Sequence, residues 1–587
     1  MDMDMESHLK AGYCAATGTY HSRHPPLAAV TAASFPDYLF RRLLTFPPDR
    51  PAFIDASTGA ALSFADLRAL SLKAAGALAA LGLRRGHVVL LLLHNSLHFP
   101  VLSLGVLSLG AVLSAANPLL TPDELADQAR DSEPFLVLAA ADLAPKLRSL
   151  TSRVVVVDQL LSDINDRDAC ACADTGIGRD PALLFYSSGT TGRSKGVVTT
   201  HGNAIAMAAS LERVRGRDDD DDDDGGGVDV YGCVLPLFHM FGFSAFVLGT
   251  PAMGATAVMV PGRFSVDKLM AAVEDYGVTT LLAVPPMVVQ MAKAAAAGEP
   301  SPSSTTSARR LRLREVLSSG APLQREHMAR FRSCFPRVSL GQCYGLTEAG
   351  IVTMCDVPPL LHDDDDEEGN SSSSSISIGR LVPSTEAMIV DVESEEALRP
   401  NRAGELWIRG PSVMQGYLGN EEATAAALMR RPSDPEEAGR WLRTGDLCYI
   451  DSVGFVHLVD RIKELIKYKA YQVAPAELED LLAAHPDIQD VAVAPNPKGV
   501  PAYPDEEAGE IPVACVVRKS GSGLLQAQEV LSFVQDKVAP YKKIRKVVFV
   551  ECIPRSPSGK ILRAQLKSFL RTCATRGTAE LQATTPI

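Results

Sequence analysis

Leu183-Leu184-Phe185-Tyr186-Ser187-Ser188-Gly189-Thr190-Thr191-Gly192-Arg193-Ser194-Lys195-Gly196 is an apolar run that ends abruptly in hydroxyls, glycines and one lysine. It reads as a buried strand that delivers a phosphate-binding loop. Glycines let backbone N–H groups point into one concavity, hydroxyls add donors and lysine supplies a point charge, so the loop suits a polyphosphate. The nearest rival is the P-loop pattern G-x-x-x-x-G-K-[ST], which fails here. Ser194 stands where its second glycine belongs, and Gly196 stands where its magnesium-binding hydroxyl belongs. The stretch therefore predicts a nucleotide loop of another kind.

Outward from this strand the chain alternates β-like and helical runs. Val88–Leu93, 135–139 and 154–157 read as strands, and Ser63–Leu81 and about 99–112 as helices. Downstream, 231–237, 255–260, 279–284 and 313–317 read as strands, with a helix over Val266–Tyr276 between them. This rhythm predicts an α/β architecture with at least one largely parallel sheet. Gly404–Gly410 reads as a strand of a smaller β subdomain. Past Arg461 the pattern becomes compact, with a helix over 475–484 opened by Pro475, short strands over 491–494, 511–517 and 547–550, and a helix over 526–538. We expect a variable segment 1–34, a large multi-sheet domain 35–460, a small mobile α+β lid 461–575 and a tail 576–587.

At 587 residues the chain is too long for one core. Hydrophobic residues make up 46% and charged residues 22%, the balance of a folded globular protein rather than a disordered one. A net charge of −13 argues against nucleic-acid backbone binding as a main role. Eleven scattered cysteines, an odd number, fit free thiols better than a disulfide framework, and Cys170-Ala171-Cys172 is too isolated for a metal site. Met1–Tyr20 has no apolar core segment and the chain ends Thr584-Thr585-Pro586-Ile587 rather than in an S-K-L-type address, so a cytoplasmic location is expected.

His87–Pro122 carries no Asp, Glu, Lys or Arg before its end and imitates a membrane span. His94, Asn95, Ser96, His98 and Pro100 interrupt it and would need partners in lipid, so a buried strand followed by a core helix is the better reading. Three low-complexity insertions read as solvated loops: the seven aspartates Asp218–Asp224 with three glycines after them, Pro300–Ser307, and the acidic block His362–Ser375 that runs into serines.

Five further segments carry chemistry. Leu340-Gly341-Gln342-Cys343-Tyr344-Gly345-Leu346-Thr347-Glu348-Ala349-Gly350 follows a strand-like run and gathers an aromatic, a hydroxyl and a carboxylate. Trp441-Leu442-Arg443-Thr444-Gly445-Asp446 reads as a carboxylate on a tight turn, and Asp460-Arg461-Ile462-Lys463 sets charges at the domain junction. Lys467-Tyr468-Lys469-Ala470-Tyr471-Gln472-Val473-Ala474-Pro475 is dense in lysine, and Pro554-Arg555-Ser556-Pro557-Ser558-Gly559-Lys560-Ile561 places a lysine on a glycine-marked loop.

In this order, over roughly Phe35 to Leu570, these segments and the phosphate loop resemble the adenylate-forming acyl-CoA synthetase superfamily, within it the plant 4-coumarate–CoA ligases and their ligase-like relatives. The resemblance implies a large N-terminal domain, a mobile C-terminal lid and a two-step reaction. A carboxylate attacks the α-phosphate of ATP to give acyl-AMP and pyrophosphate, and the thiol of coenzyme A then displaces AMP. It implies Mg²⁺ as cofactor, ATP, coenzyme A and a small carboxylate as partners, no nucleic acid, no membrane span, and a monomer or weak oligomer. A fatty or oxylipin acyl-CoA synthetase with little coumarate activity is the alternative within the class. An adenylating enzyme without the CoA step and a catalytically silent relative are the further ones.

Residue by residue, the resemblance puts the ATP phosphates on Ser187, Ser188, Gly189, Thr190, Thr191 and Lys195. It puts adenine on Tyr344, with Gln342 and Cys343 beside it and Thr347 near the α-phosphate, and Mg²⁺ near Glu348. Asp446, assisted by Arg461, takes the ribose hydroxyls, because vicinal donors need an acceptor-only partner. Lys560 is the adenylation lysine, Lys463 the hinge, and Lys467 and Gln472 act around acyl-AMP and thioester formation. His239, in Leu235-Pro236-Leu237-Phe238-His239-Met240-Phe241-Gly242, resembles a gate to the acyl pocket, with Phe241, Gly320, Gln342, Met354, Lys463 and Lys467 on the acyl-adenylate. Arg263, Lys469 and Ala470 match positions that contact coenzyme A.

Departures from the family pattern bear on acid and thiol. Coumarate ligases usually carry tyrosine where Phe241 stands and lysine where Leu317 stands, so both handles for a phenolic hydroxyl are gone. Leaving such a hydroxyl unpaired in an apolar site costs about 1–3 kcal/mol, which predicts a more apolar acid. Cys343 replaces a usual glycine, adding a side chain near the acyl pocket. Ala470 replaces the glycine that normally follows the second lysine, which would crowd the thiol tunnel.

Overall fold

The computed structural model describes residues 12–29, 31–148, 150, 153–164, 178–187, 194–216, 228–296, 312–355, 377–432, 434–435, 438–468, 471–495, 510–519, 525–535, 537–538, 542–556 and 559–575. All three low-complexity insertions fall largely or wholly outside these residues.

Two α/β layers share one core. In a seven-stranded sheet the order is Gly416–Tyr417, Lys195–Thr200, Pro181–Ser187, Val112–Ala115, Val88–Leu92, Leu136–Ala139, Arg153–Val156. Its strands from Pro181–Ser187 to Arg153–Val156 are parallel, and Lys195–Thr200 folds back antiparallel on Pro181–Ser187. A nine-stranded sheet is parallel through its centre, from Ser339–Leu346 through Glu315–Ser318, Thr280–Ala283, Val230–Cys233 and Thr256–Met259 to Pro51–Asp55. Central strands such as Val88–Leu92 are continuous apolar runs because helices cover both faces of a parallel sheet.

The covering helices begin where short polar side chains satisfy their free N–H groups. Ser63 with Asp66 forms a capping box for Phe64–Ala80, Thr121 with Glu124 does so for Pro122–Ser132, and Thr200 with Asn203 for His201–Arg215. The membrane-like stretch becomes strand Val88–Leu92, helix His98–Ser108 and strand Val112–Ala115. The helix stops short of the expected residue 112 because Val112–Ala115 is claimed by pairing with Val88–Leu92 and Pro181–Ser187. Among the described residues no helix is long and apolar enough to cross a membrane. The expected strand 231–237 ends at Cys233, since Pro236 offers no ladder donor.

A third sheet is antiparallel and built on Glu386–Val390, Gly404–Arg409, Trp441–Ile450 and Val456–Arg461. Here one expectation is overturned. Trp441–Asp446 is not a tight turn but the first half of the ten-residue strand Trp441–Ile450. Gly445, at φ +71°, sits where the register against Gly404–Arg409 slips, so the signal read as a turn is a bulge inside a strand.

The remaining C-terminal residues make their own layers. Ile488–Pro495, Pro512–Arg518 and Lys546–Phe549 form a three-stranded sheet under helices Pro475–Ala483, Ala527–Gln535 and Arg563–Thr575. The two apolar clusters here draw only on residues from Ile466 to Leu570. Arg563, at the start of the last helix, holds the layers together. It is ion-paired to Glu464 and Glu479 and donates to the Val493 carbonyl at 2.8 Å.

Candidate active site

The ends of the phosphate-loop strands, the strand Ser339–Leu346, the junction turn Ile462–Glu464 and the loop of Lys560 surround one cavity of about 500 Å³. Of the residues picked from sequence, Ser187, Lys195, His239, Phe241, Gly320, Cys343, Tyr344, Thr347, Glu348, Arg461, Lys463 and Lys560 line it. Asp446 lies directly behind, 2% exposed, with Gly445 on the wall.

The geometry at Asp446 follows from its bulged strand. The carboxylate accepts the Tyr344 hydroxyl at 2.6 Å and pairs with the Arg461 guanidinium at 3.2 Å, Arg461 being its ladder partner. Burial pushes the Asp446 carboxyl above its ordinary value, against the pull of Arg461 and the Tyr344 hydroxyl. Burial also raises Tyr344 well above an ordinary phenol, and the neighbouring Asp446 adds to it. A charged acceptor and an aromatic ring are thus locked together on one wall.

Lys195 and Glu348 meet through a residue the sequence reading missed. The Lys195 ammonium sits 4.8 Å from the centre of the Tyr417 ring, and the Tyr417 hydroxyl donates to Glu348 at 3.0 Å. Tyr417 reaches them from the two-residue strand Gly416–Tyr417, too short to leave a sequence signal. Asn95 was missed as well. Its side chain donates to the Leu235 carbonyl at 2.8 Å and accepts the Leu237 N–H at 3.0 Å, fixing the approach to His239. Its place in an apolar run between strand and helix was the available clue.

His239 opens the short helix Met240–Gly242 and accepts the Phe241 N–H on Nδ1 at 3.3 Å. Burial lowers its pKa, so the ring is neutral with its proton on Nε2. Lys560 reaches the cavity from the C-terminal residues. Gly559 before it, at φ +79°, lies so close to helix Pro285–Ala296 that a Cβ there would stand 2.8 Å from Pro286. Burial, then Arg461, lowers the Lys560 pKa, while Glu464 and Asp446 pull it back up.

Other picked residues lie elsewhere. Gln342 is buried, its side chain taken up by the Leu323 N–H at 2.8 Å and the Ser377 carbonyl at 3.3 Å, and it is not on the cavity wall. Met354 borders a separate small hollow. Arg263 is exposed and does not line the cavity. Ser188, Gly189, Thr190, Thr191, Lys469 and Ala470, and the side chains of Lys467 and Gln472, fall outside the described residues.

Fold and site together define a nucleotide-binding enzyme, in which Lys195 of the larger body and Lys560 of the smaller line one cavity. The AMP-binding enzyme family model matches residues 39–418 and the AMP-binding enzyme C-terminal domain residues 477–560. A 4-coumarate–CoA ligase-like 8 of Oryza sativa subsp. japonica, so named as putative, is 64% identical, over 97% of this chain and 98% of its own. The peroxisomal OPC-8:0-CoA ligase 1 of Arabidopsis thaliana is 40% identical over 95% and 97%. The o-succinylbenzoate CoA synthetase of Bacillus subtilis, solved with its acyl-adenylate intermediate, superposes with a TM-score of 0.72 at 27% identity, over 90% of this chain and 97% of that one. The chain belongs to the AMP-binding enzymes, the adenylate-forming acyl-CoA synthetase superfamily. It is an ATP-dependent carboxylate–CoA ligase with the two-domain α/β architecture of that class.

Proposed function

We propose that this ligase activates an apolar, largely aliphatic carboxylic acid, and that Lys195, Lys560, Asp446, Arg461, Tyr344 and Glu348 carry the ATP half of its chemistry. Lys195 and Lys560, about 365 residues apart in sequence, line the same cavity, and that observation carries the reading. Attack of the carboxylate on the α-phosphate gathers negative charge at phosphorus. Lys560 is placed to meet that charge from one side while Lys195 holds the departing pyrophosphate from the other. Tyr344 offers a ring face to adenine, and Asp446 accepts the ribose hydroxyls at the cost of loosening its present bond to the Tyr344 hydroxyl.

Mg²⁺ fits the donor set in one way only. Among the described residues no cluster of three or more His, Cys, Asp or Glu could cage a cation, whereas Glu348 offers a single carboxylate facing Lys195 across Tyr417. That suits a metal held mainly by substrate phosphates and water. When bound it would neutralise phosphate charge; orientation falls to the side chains above.

The acid side of the cavity supports an apolar substrate. Phe241 on the cavity wall lacks a hydroxyl, Leu317 in the small hollow behind it lacks a charge, and the neutral His239 lines the cavity. In the second step the coenzyme A thiol attacks the acyl carbonyl and AMP leaves, with Arg263, Lys467, Lys469, Ala470 and Gln472 proposed on the thiol side. We propose a boundary near Arg461, where the last strand of the antiparallel sheet meets the C-terminal clusters. ATP–pyrophosphate exchange over aliphatic and hydroxycinnamic acids, with and without coenzyme A, tests the assignment. A higher kcat/KM for 4-coumarate than for every aliphatic acid would sink it.

A further inference from the structure

Strands Gly404–Arg409 and Trp441–Ile450 fall out of step at one place. Glu405 stands opposite Leu447 and Trp407 opposite Arg443, so Leu406 alone faces Thr444, Gly445 and Asp446. A bulge of this kind re-aims a side chain, and here it is that of Asp446. The bulged backbone is clamped twice. The Thr444 hydroxyl donates to the Leu406 carbonyl at 2.7 Å and accepts the Asp446 N–H at 3.1 Å. The second clamp is the buried Glu405, whose two carboxylate oxygens do different work. Oε2 accepts the Trp407 Nε1–H at 2.9 Å and two N–H groups of Arg443, at 2.9 and 3.1 Å. Oε1 accepts the Gly445 N–H at 3.1 Å. The Arg443 guanidinium also lies 5.2 Å from the centre of the Trp407 ring, so the carboxylate is held in a fixed frame.

Resting on the ribose role proposed above for Asp446, we infer that Glu405 is a positioning residue for nucleotide recognition: it holds the bulge at Gly445 and through it aims Asp446 at the ribose hydroxyls. Gly445 has a φ of +71°, and a Cβ on it would meet nothing within 4 Å. Packing therefore does not fix this peptide, and its hydrogen bond to Glu405 does. Glu405 is an acceptor-only group with four donors already on it, so it acts through Asp446 rather than on the nucleotide. Glutamine has only one acceptor oxygen to offer. With that oxygen on Trp407 and Arg443, its NH₂ faces the Gly445 N–H, donor against donor. Aspartate, one methylene shorter, cannot reach both sets of donors. Either change frees the bulge and leaves the Tyr344 and Arg461 side chains in place to pair with Asp446.

The full-length enzyme and its Glu405→Gln, Glu405→Asp and Asp446→Ala variants are compared by calorimetric binding of ATP, 2′-deoxy-ATP and 3′-deoxy-ATP, without acid, so that no turnover intervenes. Wild type is expected to prefer ATP over either deoxy analogue by about tenfold or more. Glu405→Gln should weaken ATP by about that factor and leave the deoxy analogues nearly unchanged, so that the preference collapses as it does in Asp446→Ala. Glu405→Asp carries the test if the glutamine variant does not fold. A merely structural role would weaken all three nucleotides in parallel. A preference for ATP that survives at the wild-type ratio in the Glu405 variants, while Asp446→Ala loses it, overturns the inference. A wild-type ratio near one, or a ratio that Asp446→Ala leaves intact, overturns instead the ribose reading on which the inference stands.

Discussion

At the scale of single residues, charge at Lys560 is the quantity on which adenylation turns in the proposed assignment. Burial and Arg461 lower its pKa, so the ammonium is lost at a lower pH than from an ordinary lysine. A lysine is a cation below its pKa, and a lowered pKa therefore brings the alkaline fall in exchange rate forward. Arginine stays charged throughout, so the residual activity of Lys560→Arg should lack that fall. Superimposable alkaline limbs for the two proteins would count against this assignment. Lys560 was legible in sequence because a Ser-Gly-Lys loop is distinctive, as was Lys195. Tyr417, which gathers Lys195 and Glu348, was not, because its role depends on a two-residue strand added at a sheet edge. Gln342 shows the converse: its neighbours in sequence point to the nucleotide, while both ends of its amide are bound to backbone.

At the scale of elements, two features set the junction. Helix Pro475–Ala483 is preceded by Ala474, which has no side chain to cap it. Asp460, from the strand Val456–Arg461, supplies the missing acceptor: its carboxylate takes the Ala476 N–H at 2.9 Å and the Arg461 N–H at 2.7 Å. Burial pushes this carboxyl up to about 6, against Arg563 and the two N–H groups. Because the folded pKa exceeds the unfolded one, the stability linked to Asp460 is full below about pH 4 and is lost as pH rises through about 6. Urea midpoints should therefore show wild type losing stability relative to Asp460→Asn over that window; a pH-independent difference would contradict the assignment. The second feature is Gly445. A Cβ there would meet nothing within 4 Å, so Gly445→Ala pays only for its φ of +71°, about 1–2 kcal/mol in chemical denaturation, with a raised KM for ATP through the displaced Asp446. Glycine beside aspartate reads equally as a turn or a bulge, and strand pairing, which no local pattern encodes, decides between them.

At the scale of the whole molecule, the site exists only where two bodies meet. The larger presents Lys195, Tyr344, Glu348 and the Asp446–Arg461 pair, and the smaller brings Lys560 on a loop seated against Pro286. A further bond from the Arg325 N–H to Asp480 at 3.2 Å ties the same two bodies. The α/β alternation was readable because parallel strands are apolar runs of few residues between capped helices. The order of strands within each sheet was not, since it rests on pairings between segments hundreds of residues apart, as between Thr19–His21 and Glu386–Val390. The central claim is that the smaller body contributes its cation to the first half-reaction. Lys560→Ala should lower ATP–pyrophosphate exchange about a hundredfold or more while thioester formation from a supplied acyl-adenylate continues at a comparable rate. Exchange at an undiminished rate in Lys560→Ala would contradict the account.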